Sequence, residues 1–275
     1  MKKFSLLLLL SIFSIATFAQ KKEKIKGDKN VTTVTNGFET GFTAIEISDN
    51  LKVSLTKSLQ NSYTLSTDEN LHDVIEFTVN EGLLKIYTTS NIVKSKKLDI
   101  TLSLNNLEAI FLKDEAELKS DKVFDSNTIT INAQNSSKFE IETNVEQASI
   151  TMLNDAKGKV KLRAKQITIT MADKANLEAD INTDATNASL SSSAKLRLDG
   201  NSDKVSFTTN DSAELDAKRL KVSSAEVSTK DKSELHIDAR KNLSLHAIDK
   251  SKIFVYSEPR IDIKKFADRA ELIKR

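Results

Sequence analysis

From about residue 107 onward, apolar and polar residues alternate over short segments. Thr128-Ile129-Thr130-Ile131, Lys159-Val160-Lys161-Leu162, Gln166-Ile167-Thr168-Ile169, Lys195-Leu196-Arg197-Leu198 and Glu234-Leu235-His236-Ile237 all carry the pattern. In extended backbone, residues i and i+2 share a face, so this alternation buries one set of side chains and leaves the other in water. A helical i, i+3, i+4, i+7 pattern competes only weakly, between Ile263 and Ile273. The chain therefore reads as all-β.

The strands recur at a steady interval. A phrase led by Asp or Asn and closed by an apolar residue reads Asp114-Glu115-Ala116-Glu117-Leu118 and returns as Asn135-Ser136-Ser137-Lys138-Phe139. Further copies end at Leu177, Leu215, Leu235, Ile253 and Leu272, with looser ones at Val160 and Leu196. Successive closing residues lie 21, 21, 17, 19, 19, 20, 18 and 19 apart. A second apolar set comprises Ile131, Ile150, Ile169, Leu190, Phe207, Val227 and Leu245. One such unit cannot bury its own apolar face, whereas stacked units share a continuous core. Like positions then lie about 4.8 Å apart, as in a parallel sheet. The pattern predicts a single-stranded parallel β-helix, or β-solenoid, with coils of about 19–20 residues.

Glycine and proline are scarce, at 6 and 1 residues, so other residues must make the turns. Asp and Asn bond to nearby backbone and tolerate unusual backbone angles, and can take that place. Lys and Glu at outward positions predict ladders of mixed sign between coils. Before residue 107, Phe42–Ile47 and Leu51–Leu55 read as a strand pair over the turn Ser48-Asp49-Asn50. The segments around Tyr63, Ile75, Leu83 and Leu98 read as opening coils with longer connections. Residues 20–37 read as a loosely packed lead-in, and 38–275 as the β-helix domain. The segment Val31 to Phe42 is expected to cover one end of the stack and Arg260 to Arg275 the other, which predicts a monomer with capped ends.

Residues 1–19 change the charge balance. Met1-Lys2-Lys3, an apolar run from Phe4 to Ile15 and Thr17-Phe18-Ala19 make a secretory signal peptide. An uncleaved anchor is disfavoured because a membrane span needs about 20 apolar residues. Removing Lys2 and Lys3 takes Lys+Arg from 41 to 39, equal to the 39 acids, so the mature chain is formally neutral. Nucleic acid and anionic lipid need a positive field, which neutrality withholds. With no cysteine, there are neither disulfides nor a lipid-attachment thiol. The destination is periplasm, cell surface or extracellular medium, with no membrane span in the mature chain.

The phrase Phe42-Thr43-Ala44-Ile45-Glu46-Ile47-Ser48-Asp49-Asn50-Leu51-Lys52-Val53 resembles the opening of a family found mainly in Bacteroidetes, the autotransporter adhesin heads (GIN domain, a domain of unknown function). The repeated Asp-x-Ala/Ser-x-Leu resembles its turn, and Ile253-Phe254-Val255-Tyr256-Ser257-Glu258-Pro259 is similar to its closing Tyr-x-x-Pro phrase. The similarity covers roughly residues 38 to 270. It implies a right-handed parallel β-helix, exported and without established activity; the handedness comes from the resemblance alone. The chain departs from the family in its repeated turns, where Asp, Lys, Ser and Ala replace glycines, and at Ser257, where Gly is common.

Candidate chemistry is sparse. The turn acids Asp114, Asp155, Asp173, Asp211, Asp231, Asp249 and Asp268 could form a Ca²⁺ ladder, but calcium needs several converging oxygens and the glycine-rich nonapeptide is missing. Turn formation is the preferred reading. His72, His236 and His246 have no zinc-type spacing. Carbohydrate processing would need paired carboxylates in a groove and aromatic platforms, whereas acids here are spread evenly and Trp is absent. No catalytic, cofactor-binding or metal residue is assigned. The expected function is a non-enzymatic, adhesin-like or structural binding module of the bacterial envelope with an unknown protein or glycan partner. The alternatives are a periplasmic regulatory or assembly factor that binds a protein and, least favoured, a carbohydrate-processing enzyme.

Overall fold

Each coil consists of two strands meeting at a corner. In the computed structural model, which describes residues 22–275, the strands entering the corners stack into one parallel sheet: Ala109–Leu112, Thr128–Ala133, Gln147–Met152 and their successors. Those leaving the corners stack into a second: Glu117–Asp125, Lys138–Asn144, Lys157–Met171 and onward. From Lys157 the chain bends from the second sheet of one coil into the first sheet of the next while staying paired. The results are the long strands Lys157–Met171, Asn176–Leu190, Lys195–Thr209, Glu214–Thr229 and Glu234–Ala247. Ala109 to Lys274 makes nine coils. The parallel β-solenoid read from the sequence is thus present. The signal peptide, residues 1–19, lies outside the described residues.

The corners follow from Asp chemistry. Asp114, Asn135, Asn154, Asp173, Ser192, Asp211, Asp231, Asp249 and Asp268 all hold φ between 58° and 62°, the left-handed region that Asp and Asn enter at least cost. Each turn is closed by a backbone bond such as Ala213 N–H to Asn210 O at 3.1 Å. The residue two after the corner is Ala or Ser throughout, buried in every coil but the last, where Ala270 is half-buried. Ser replaces Ala at 233 and 251 where the facing core position turns from Met171 and Leu190 to Thr209 and Thr229. Thr209 Oγ1 donates to Ser233 Oγ at 3.1 Å and Thr229 Oγ1 to Ser251 Oγ at 3.0 Å, so the buried hydroxyls satisfy one another.

Pairing corrects two positions in the repeat. Gly158, not Val160, stacks between Phe139 and Leu177. Ala188, not Leu190, stacks between Ile169 and Phe207. With these residues in place the intervals 21 and 17 become 19 and 19. Each small residue sits beside a phenylalanine. A Cβ on Gly158 would lie 2.4 Å from Phe139 Cζ, so the ring occupies the space a side chain would fill. Packing conserves volume between neighbouring coils, not residue type in each.

The N-terminal end departs further from expectation. Ala44–Ile47 and Lys52–Lys57 are not a hairpin; they flank a corner at Asp49, φ 62°, and pair with other coils. The strands Leu83–Thr88 and Leu98–Leu104 stack outside them, so this coil is sandwiched between residues remote on both sides. Beyond them the direction reverses. Ile75–Asn80 runs antiparallel to Leu83–Thr88, because Glu81 and Gly82 both take positive φ, 48° and 78°, as a two-residue hairpin requires. Ser62–Asp68 runs antiparallel to Leu98–Leu104, and Val31–Gly37 antiparallel to Ser62–Asp68. These segments are an antiparallel cover, not opening coils. Residues 20–37 are not a loose lead-in where described: Lys24–Lys26 pairs with Asn91–Lys94, and Val31–Gly37 is the outermost strand of the cover. Tyr63 and Phe77 stack at 3.9 Å between the two covering sheets.

The C-terminal segment does not cap the stack either. Arg260–Phe266 and Glu271–Lys274 form one more coil on the last, in register but for a bulge at Lys264, and no described residue pairs with its outer edge.

Two predictions follow from corner and core. Gly158→Ala should destabilise the protein by about 1–3 kcal/mol through overpacking, and Phe139→Leu in the same chain should restore most of the loss. Calorimetry of both variants and the double checks this; additive losses would disprove the interlock. At Asp211, Asn should be nearly neutral while Ala should cost about 1–2 kcal/mol, from left-handed strain and a lost hydrogen bond. Thermal unfolding that ranks Ala equal to Asn would contradict this.

Candidate functional site

The corner acids form a ladder, and its chemistry is spent on backbone. Asp173 accepts the N–H of Asn154 at 3.1 Å, Asp211 that of Ser192 at 2.9 Å, Asp231 that of Asp211 at 3.3 Å. Asp249 and Asp268 continue this at 3.2 and 3.3 Å, and Asp114 receives the N–H of Asp49 at 3.3 Å. Asp155 is not a member; Asn154 holds its place at the left-handed position. Among the described residues, no three His, Cys, Asp or Glu side chains converge as metal ligands would. The three histidines are held apart. His72 Nε2 meets Thr32 Oγ1 at 2.9 Å in the N-terminal cover. His236 stacks on Phe254, centroids 4.4 Å apart, with Nδ1 3.0 Å from Tyr256 Oη. His246 lies outward on the first sheet, opposite Ser228.

The outward faces of the two sheets differ in kind. On the second sheet, Lys119, Glu140, Lys159, Glu178, Arg197 and Asp216 are stacked neighbours, coil after coil, with strictly alternating sign. Lys119–Glu140 and Lys159–Glu178 lie 3.4 and 3.6 Å apart. In the adjoining column Glu117 bridges Lys52 at 3.1 Å and Lys138 at 2.9 Å. The Lys138 hydrogen bond in particular holds the Glu117 carboxyl below the usual range, as the Arg219 fork does for Asp199. The mixed-sign ladder expected from sequence is present.

On the first sheet the outward columns are Thr130, Ser149, Thr168, Asn187, Ser206 and, one pleat on, Asn132, Thr151, Thr170, Ser189, Thr208. These ten residues span five coils and carry only hydroxyls and amides. In a chain with 29% charged residues, so uniform a surface is a separate feature, which the sequence reading did not single out. The face continues into a trough of 750 Å³ lined by Asn187, Ser206, Ser224, Asn242 and Ser244 together with the charged Lys204, Glu226, Arg260 and Asp262. This sheet is the candidate contact surface.

A larger cleft of 860 Å³ lies where Asn91–Lys94 and the segment after it face the first corners. Its lysines are largely engaged by the protein's own acids: Lys22 with Asp49 at 2.6 Å, Lys52 with Glu117, and Lys97 with Asp99 at 3.3 Å. Burial pushes the Asp49 carboxyl up, but hydrogen bonds from Lys22 and from the Thr88 N–H and hydroxyl outweigh it, leaving the group below its ordinary value. A carboxyl depressed in the fold stabilises it fully above about pH 4, the unfolded value, and loses that contribution as pH falls through the lower folded one. Acid should therefore loosen the N-terminal end below about pH 4, and Asp49→Asn should remove that portion of the acid sensitivity. Amide exchange at Thr88, followed against pH in both proteins, checks this; equal pH profiles would refute it.

Comparison with known proteins places this geometry. Crystal structures with the same fold include a putative adhesin from Parabacteroides merdae, 16% identical with TM-score 0.70, covering 92% of this chain and 99% of that one. A putative adhesin from Parabacteroides distasonis is 14% identical with TM-score 0.69, over 92% and 100%. A putative lipid binding protein from the same species is 19% identical with TM-score 0.66, over 92% and 100%. Among curated proteins none matches. The family model described as "Putative auto-transporter adhesin, head GIN domain" matches residues 41–161 and 154–259. With the two matches together running from residue 41 to residue 259, the chain belongs to the auto-transporter adhesin head (GIN domain) family.

Proposed function

We propose that this protein is an exported, non-enzymatic, adhesin-like binding module of the bacterial envelope, and that it meets its partner through the uncharged array on the first sheet. The observation that carries this reading is the array from Thr130 to Thr208, ten outward hydroxyl and amide side chains without a charge. Charges on the opposite face neutralise one another from coil to coil, so that face projects little net field. The hydroxyl face offers donors and acceptors at a fixed repeat of about 4.8 Å along the stack. Many weak equivalent contacts suit a repetitive, neutral partner, for which avidity replaces single-site affinity. A glycan chain has that chemistry, as does an uncharged protein surface. Family membership and the adhesin-named relatives support the binding role. The relative named for lipid binding shares the fold at 19% identity, and fold alone does not transfer a ligand.

Glycan arrays and pull-down from envelope extract should be run with three proteins. The triple variant Thr168→Lys/Thr170→Lys/Ser206→Lys should lose binding by about tenfold or more, one decade per 1.4 kcal/mol. Lys159→Ser/Glu178→Ser on the charged face should leave it intact. The reverse outcome would move the contact surface to the second sheet.

A further inference from the structure

The last coil is built like an interior coil but is left half-covered. Ile261 stacks on Leu243, Ile263 on Leu245, Phe266 on Ala247 and Leu272 on Ile253. The residues beneath are at most 1% exposed, whereas Ile261, Ile263 and Phe266 are 41%, 54% and 43% exposed. Three of the seven large apolar side chains exposed among the described residues thus lie together at this end. Both strands also present an outer edge that no described residue pairs with. Unpaired edges over exposed core residues seek a partner strand.

We infer that this end is completed by a second copy of the chain, docked end to end about a two-fold axis. The two ends of the stack differ in a way that selects this arrangement. At the N-terminal end the first sheet runs two strands beyond the Ala44–Lys57 coil, Leu83–Thr88 and Ile75–Asn80. The second runs three, Leu98–Leu104, Ser62–Asp68 and Val31–Gly37, so that end is stepped. At the C-terminal end both sheets stop on the same coil, flush. A joint that pairs both sheets at once needs two flush ends, so like meets like. The contact closes as a dimer instead of propagating as a filament.

A two-fold axis across the stack reverses strand direction, so the copies pair antiparallel. Centred on Ile263, such pairing sets Asp262 of each copy opposite Lys264 of the other and buries the two Ile263 side chains together. In the second sheet, reversal lays the Glu271 end of one strand beside the Lys274 end of its mate. Within one copy these charges pair locally, Lys264 with Asp262 at 2.7 Å and Lys274 with Glu258 at 2.5 Å, on the surface. Both signs are therefore available at the joint, and the strand carries its own complement. This replaces the capped monomer expected from sequence, and it does not depend on which face binds a ligand.

The test is the mass of residues 20–275 in solution, by sedimentation over a concentration series. The expected result is twice the chain mass, halved by Ile263→Lys with the circular dichroism of the fold retained. Asp262→Lys and Lys264→Asp should each be monomeric alone, since like charges then face across the joint. Mixed, they should form a one-to-one dimer, because each supplies the other's missing sign. A monomeric parent chain, assemblies that lengthen with concentration, or a mixture that stays monomeric would overturn the inference.

Discussion

Like-over-like stacking in parallel register governs this molecule. A single coil satisfies few of its own backbone groups, so its N–H and C=O bonds are made almost wholly to the coils above and below. A side chain in one coil is packed by its counterparts at about the strand spacing, and every position is judged by its neighbours along the stack. Inside, this produces apolar ladders; at the corners, a column of left-handed Asp, Asn and Ser; outside, alternating charge or unbroken hydroxyl. Each is the same constraint acting on a different environment.

The constraint is on volume and satisfaction, not identity. Gly158 exists because Phe139 overfills the next coil, and Ala188 faces Phe207 in the same way. Ser233 and Ser251 replace the corner alanine where Thr209 and Thr229 bring a hydroxyl into the core, whereas the corner hydroxyl of Ser137 is buried without a partner. Such exchanges blur the repeat while leaving the stack close-packed, as native interiors demand.

Electrostatics divides the surface. Charges placed on one sheet find their counter-ions one coil away, while two outward columns of the other sheet carry no charge over five coils. The neutral sheet reads as a contact surface for that reason, while the charged sheet reads as solvation and register. The acids that most resembled a metal site are corner braces, with their oxygens aimed at backbone N–H groups.

The sequence by itself determined the class of fold, the repeat, the corner chemistry and the mixed-sign ladder, because alternation and Asp-led turns are local signals. It did not determine register at residues 158 and 188. A slip of two residues leaves every side chain on the same face, so Val160 for Gly158 and Leu190 for Ala188 satisfy the alternation equally well; only pairing with Phe139 and Phe207 decides. The ends escaped for a related reason. Whether a strand adds parallel or antiparallel depends on what edge is open to it, and the alternation at Tyr63 and Leu65 or at Ile75, Phe77 and Val79 reads the same in either direction. The hydroxyl face was written in the Thr-x-Thr and Ser-x-Thr phrases, yet it became a surface only once five coils were laid over one another. Tertiary structure decided those points because stacking, unlike alternation, relates residues nineteen apart and more.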